Sequence, residues 1–104
     1  MMSHVFVYIT NPSEAAAKKL ASSLIDKKLI ACANIFPVSS IYKWKGRTMD
    51  EKEFILIAKT SGKMFSSVKK FVEENHPYEV PCITKIIVKP NDAYVMWLDN
   101  QMRK

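Results

Sequence analysis

Ala31-Cys32-Ala33-Asn34-Ile35-Phe36-Pro37-Val38-Ser39-Ser40-Ile41-Tyr42-Lys43-Trp44-Lys45-Gly46-Arg47, followed by Lys52-Glu53-Phe54-Ile55-Leu56-Ile57-Ala58-Lys59-Thr60, decides the fold of this chain. Two runs rich in β-branched and aromatic residues flank a Gly46-Arg47 turn, so they pair as a hairpin that is long for so small a protein. Pro37 has no N–H to give to a ladder, which confines the first run to a sheet edge or a bulge. Tyr42 and Trp44 alternate with Lys43 and Lys45, so both rings share one face of the hairpin and both ammonium groups the other. The rings suit core packing and contact with a second subunit equally well.

Working outward, His4 to Thr10 alternates and reads as a strand. Asn11 then caps a helix with Pro12 in its first turn and Glu14 three residues on, with Ser13 as the competing cap. Ala17, Leu20, Ala21, Leu24 and Ile25 give this helix its apolar stripe, and it ends near Lys28. Beyond the hairpin, Met64, Val68, Phe71 and Val72 form a second stripe that stops before Pro77, because a residue preceding proline avoids helical geometry. Val80 to Val88 reads as a fourth strand. Asn91 or Asp92 caps a last helix with Tyr94, Trp97 and Leu98 on one face.

The order βαββαβ plus a C-terminal helix predicts an α+β, ferredoxin-like fold: an antiparallel sheet with two helices on one face. The other face and the edge of the long hairpin are left bare, so a neighbouring subunit is expected to cover them. At 104 residues, 48% hydrophobic, 25% charged and with only two glycines, residues 1–104 form a single compact domain.

The formal charge of +6 comes from scattered pairs, Lys18-Lys19, Lys27-Lys28 and Lys69-Lys70, on predicted helices. Such pairs are solvated faces, so neither nucleic acid nor membrane is an expected partner. No signal peptide or membrane-length apolar run is present, which with two unpaired cysteines, Cys32 and Cys82, points to a reducing, cytoplasmic setting. Both thiols are expected to be packed.

The segment His76-Pro77-Tyr78-Glu79-Val80-Pro81 sets an imidazole, a phenol and a carboxylate on a backbone held by two prolines. Binding sites combine apolar surface with a few fixed polar groups, so it is the first place to seek one, although His76 reads equally well as a helix C-cap. The metal donors His4, Cys32, His76 and Cys82 have no local pairing of Cys-x-x-Cys or His-x-x-x-His type, so the fold or a second subunit would have to assemble any metal site. Lys59 either snorkels to solvent or brings a cation to a pocket. Glu51 and Glu53 share a strand face and are expected to be solvated. No nucleophile elbow or phosphate-cradling glycine loop occurs, so the chain is not expected to be an enzyme.

Leu29-Ile30-Ala31-Cys32-Ala33-Asn34-Ile35, Ile41-Tyr42-Lys43-Trp44-Lys45-Gly46, Glu53 with Lys59-Thr60, His76-Pro77-Tyr78-Glu79-Val80-Pro81 and Tyr94-Val95-Met96-Trp97-Leu98 together resemble the CutA family of divalent-cation tolerance proteins. The match runs in order over nearly the whole chain. It implies a cytoplasmic homotrimer whose long hairpins pair across subunit edges, linked to tolerance of copper and other divalent cations, with no obligatory cofactor. A ligand or metal ion is then expected at subunit junctions lined by Tyr42, Trp44, Lys59, His76, Tyr78 and Glu79, with His76 as the metal ligand. An alternative is a signalling or scaffold module of the same fold that binds a small anionic ligand or a protein between subunits through Lys59 and nearby lysines. Some members carry a cysteine at the end of the first strand and a histidine before His-Pro-Tyr, where this chain has Ile9 and Asn75. Many have an acidic residue where this chain has Cys82, which shifts any metal preference towards softer ions such as Cu(I).

Overall fold

The computed structural model describes residues 3–103; Met1, Met2 and Lys104, included in the predicted domain, lie outside that range. The elements follow the order β1 (His4–Asn11), α1 (Glu14–Asp26), β2 (Cys32–Trp44), β3 (Arg47–Ser61), α2 (Phe65–Asn75), β4 (Ile83–Val88) and α3 (Asp92–Gln101), with a 3-10 turn at Gly62–Met64 before α2. The strands form one antiparallel sheet in the order β2-β3-β1-β4, the ferredoxin-like arrangement. Pro37 therefore lies on an edge strand, where its missing N–H costs no ladder bond.

Opposed residues of antiparallel strands project to the same face. Val5, Val7 and Ile9 of β1 stand opposite Thr60, Ala58 and Leu56 of β3. They meet Leu20, Ala21 and Leu24 of α1 and Val68 and Val72 of α2 in one buried core. The second face, which carries His4, Phe6, Ile57 and Lys59, is covered at one end by α3. There Leu98 is buried and His4 Nε2 lies 3.0 Å from Asp99 Oδ1.

Several boundaries differ from the predicted ones for identifiable reasons. Ser13, not Asn11, caps α1: its backbone is extended and its Oγ accepts from Ala16 N–H at 3.1 Å. Asn11 is the last residue of β1, buried, and its Nδ2 donates to the carbonyls of Ile9 at 3.2 Å and Phe54 at 3.3 Å. The hairpin turn is Lys45-Gly46 with positive φ of 51° and 79°, and Trp44 pairs directly with Arg47. Two positive φ values make a type I′ turn, whose twist matches that of its strands. β3 thus begins at Arg47, well before Lys52, and β4 begins at Ile83, leaving Val80 to Cys82 as irregular chain. The predicted packing of the thiols is not met, for Cys32 is half-buried at the sheet edge and Cys82 is exposed.

Candidate functional site

β1 pairs with β3 only as far as Asn11 opposite Phe54. Past that point residues 38–53 of β2 and β3 have only each other, and they project as a two-stranded arm that makes the molecule 45 Å long and 21 Å thin. On one face of the arm the register stacks Val38 with Glu53, Ser40 with Glu51, Tyr42 with Met49 and Trp44 with Arg47. Tyr42 and Trp44 share this face, as the alternation predicts.

The His76–Cys82 loop lies against the base of this face. His76 ends α2 in an extended conformation (φ −92°, ψ 139°), as the following proline requires. Its Nε2 lies 2.7 Å from the Thr10 carbonyl, and its Nδ1 accepts from Tyr78 N–H at 3.0 Å. A carbonyl can only accept, so the ring proton sits on Nε2. Both nitrogens are thereby occupied within the subunit, and the imidazole clamps the loop to β1. The rings of His76 and Tyr78 stack at a tilt with centroids 4.7 Å apart. This delivers the Tyr78 hydroxyl to Glu53, to which it donates at 2.6 Å.

A second phenol–carboxylate pair lies further out, where Tyr42 donates to Glu51. Both phenols are pushed above the ordinary value near 10. For Tyr42 the hydrogen bond to Glu51 is the main cause and the pKa is about 12. For Tyr78 burial comes first and the bond to Glu53 second. Arm and loop enclose an open cleft of about 730 Å³ between Tyr42, Trp44, Tyr78, Glu51, Glu53 and Glu79, with Cys82 at its edge.

Of the predicted site residues, Tyr42, Trp44, Tyr78 and Glu79 come together in this cleft, and His76 stands behind it as a support. Lys59 does not reach it. Its ammonium lies 5.2 Å from the ring centroid of Phe6 and 5.5 Å from that of Tyr94, near the α3 end of the sheet. Glu51 and Glu53 were expected in solvent; both line the cleft, and Glu51 is exposed as expected whereas Glu53 is only 7% exposed. Their signal was the register: Glu51 is the diagonal cross-strand neighbour of Tyr42, within reach of a long side chain.

The fit to a metal ion is incomplete within one subunit. Among the described residues no group of three or more His, Cys, Asp or Glu side chains is placed to hold one. Ile9, at the position that some CutA-like sequences give to a cysteine, is fully buried under the helices. Asn75, at the position of the extra histidine, donates to the Phe71 carbonyl at 2.8 Å.

A four-stranded ferredoxin-like sheet, half bare on one face, with a phenol- and carboxylate-lined cleft at the root of a projecting arm, defines the class of protein. Residues 5–101 match the model of the CutA1 divalent ion tolerance protein family, and the chain belongs to that family. It is 39% identical over 97 residues to the divalent-cation tolerance protein CutA of Archaeoglobus fulgidus, covering 92% of this chain and 95% of that one. To the chloroplastic protein CutA of Arabidopsis thaliana it is 39% identical over 101 residues, 95% of this chain but only 56% of that longer relative. The solved structure of the periplasmic divalent cation tolerance protein CutA from Archaeoglobus fulgidus superimposes with a TM-score of 0.93 at 38% identity, over 96% of this chain and 99% of that one.

Proposed function

We propose that this chain is a single-domain, non-enzymatic, cytoplasmic tolerance protein that assembles as a homotrimer and takes up copper or another divalent cation in the cleft where subunits meet. The observation that carries this reading is the cleft itself. It gathers Glu51, Glu53 and Glu79 beside aromatic rings, yet among the described residues offers no complete ligand set from one chain. A neighbouring subunit would supply the missing donors. The carboxylates are the ligands a hard ion meets first, and Cys82 suits a softer one. His76 joins the set only by giving up its bond to Thr10 or the one it accepts from Tyr78 N–H.

Assembly has independent support in the two unpaired edges, β2 and β4. Joining the β2 edge of one copy to the β4 edge of the next is a head-to-tail contact, the kind that closes a ring when the rotation between copies is a whole fraction of a turn. Three is the number that the family resemblance implies. The surfaces concerned are apolar, with Ile41 on the arm and Ile87 on β4 each 73% exposed. Among the described residues no helix is long and apolar enough to cross a membrane. The carboxylate lining and the remote position of Lys59 favour a cation over a small anion in this cleft.

Titration calorimetry of the assembled protein with Cu²⁺ and Zn²⁺ tests the reading. Saturable heat is expected, weakened about tenfold in Glu79→Gln by loss of a charged ligand. No heat with either ion, or heat unchanged in Glu79→Gln, would contradict it.

A further inference from the structure

A second cavity, of about 560 Å³, lies at the opposite end of the sheet from the arm, between the end of β3 and the end of α3. Among the described residues, Lys28, Lys63 and Arg103 line it against a single carboxylate, Asp99, which His4 already engages at 3.0 Å. Lys28 donates to the Arg103 carbonyl at 2.8 Å and so answers the carbonyl end of the chain beyond α3. Lys63 and Arg103 have no ion-pair or ring partner among the described residues.

Ser61 supplies the observation that singles this cavity out. It closes β3 opposite His4, is 2% exposed and lines the cavity, and its Oγ has no hydrogen-bond partner among the described residues. A buried hydroxyl without a partner is uncommon in a folded protein and calls for an explanation. The backbone next to it is fixed, for Gly62 N–H donates to the Ser3 carbonyl at 2.9 Å.

We propose that this cavity binds a phosphomonoester. The Ser61 hydroxyl donates to one phosphate oxygen, the Lys63 ammonium and the Arg103 guanidinium to the others, and the fork of Arg103 suits two oxygens at once. The volume exceeds what a bare oxyanion fills, and Met64 and Met102 give the remaining wall an apolar, adaptable surface for the organic part. This site is separate from the acidic cleft of the arm and does not depend on the function proposed there.

Calorimetry of the full chain with adenosine monophosphate and with inorganic phosphate tests it, together with amide chemical shifts of Ser61 to Lys63. Saturable binding of the nucleotide is expected, with inorganic phosphate competing more weakly and shifts confined to the cavity. Ser61→Ala and Arg103→Gln should each weaken binding about tenfold, the usual cost of a charge-assisted hydrogen bond. Arg103 lies at the chain end, so its variant remains informative if Ser61→Ala does not fold. Lys19→Gln, which removes the same charge on α1, should leave affinity unchanged. Absence of binding at millimolar nucleotide, equal weakening in Lys19→Gln, or inorganic phosphate binding as tightly as the nucleotide would overturn the proposal.

Discussion

Residues 49–53 and Phe54–Ser61 are consecutive stretches of one strand, yet the second has a neighbour on each side as far as Lys59 and the first has β2 alone. In the second stretch Ile55, Leu56, Ala58 and Thr60 are fully buried. In the first only Glu53, at the junction, is buried, and it carries a carboxylate. One hairpin thus serves as the centre of a core at one end and as an unfinished surface at the other. Burial along a strand follows from what lies beside it, and here a single loop, His76–Cys82, marks where one regime gives way to the other.

The largest effect should come from the core end. Leu56→Ala removes a fully buried side chain between sheet and helices and should cost about 2–5 kcal/mol in urea denaturation. Thr48→Ala on the exposed arm should stay within about 0.5 kcal/mol. Similar costs at the two positions would erase the distinction between core and arm.

At the junction, Tyr78→Phe leaves the Glu53 carboxylate buried without its donor, which should cost about 1–3 kcal/mol. Tyr42→Phe, on a side chain in contact with solvent, should cost less. Equal losses would mean that the loop does not bury Glu53 as described.

The same pair separates by titration. A phenol whose pKa is raised in the folded state adds stability that is complete below about pH 10, its unfolded value, and is lost as pH rises through its folded value. For Tyr42 that window runs from about 10 to about 12. Glu51→Gln should return Tyr42 most of the way to 10, because that hydrogen bond is the main cause. Glu53→Gln should leave Tyr78 raised, because burial is its main cause. Tyrosinate absorbance, with the Tyr42→Phe and Tyr78→Phe variants as references, distinguishes the two.

The smallest effect belongs to the arm tip. Lys45 holds a positive φ that asparagine tolerates better, so Lys45→Asn should raise stability by about 0.5 kcal/mol in thermal unfolding. A loss would show that the tip is not the type I′ turn seen here.

Much of this was legible in the residues. Strand and helix order, the edge-or-bulge position required by Pro37 and the length of the hairpin all follow from local pattern, because periodicity and proline act within a few residues. The cleft was half legible. Tyr78 and Glu79 stood out through the prolines around them, but the Tyr78–Glu53 contact joins positions 25 apart and exists only because His76 pins the loop to β1. Glu51 and Glu53 therefore looked like ordinary solvated carboxylates. Lys59 misled in the opposite way, since its place at the end of an apolar run said nothing of the Phe6 and Tyr94 rings that hold it far from the cleft. Ser61 gave no signal at all, for a buried hydroxyl without a partner is a property of the assembled fold.

Sedimentation equilibrium of the full chain at micromolar concentration tests the central claim most directly, namely that the arm and the cleft at its root are finished by neighbouring copies. A mass three times the 11.9 kDa of one subunit is expected. A mass of one subunit would contradict it and leave both the exposed arm and the incomplete ligand set without an explanation.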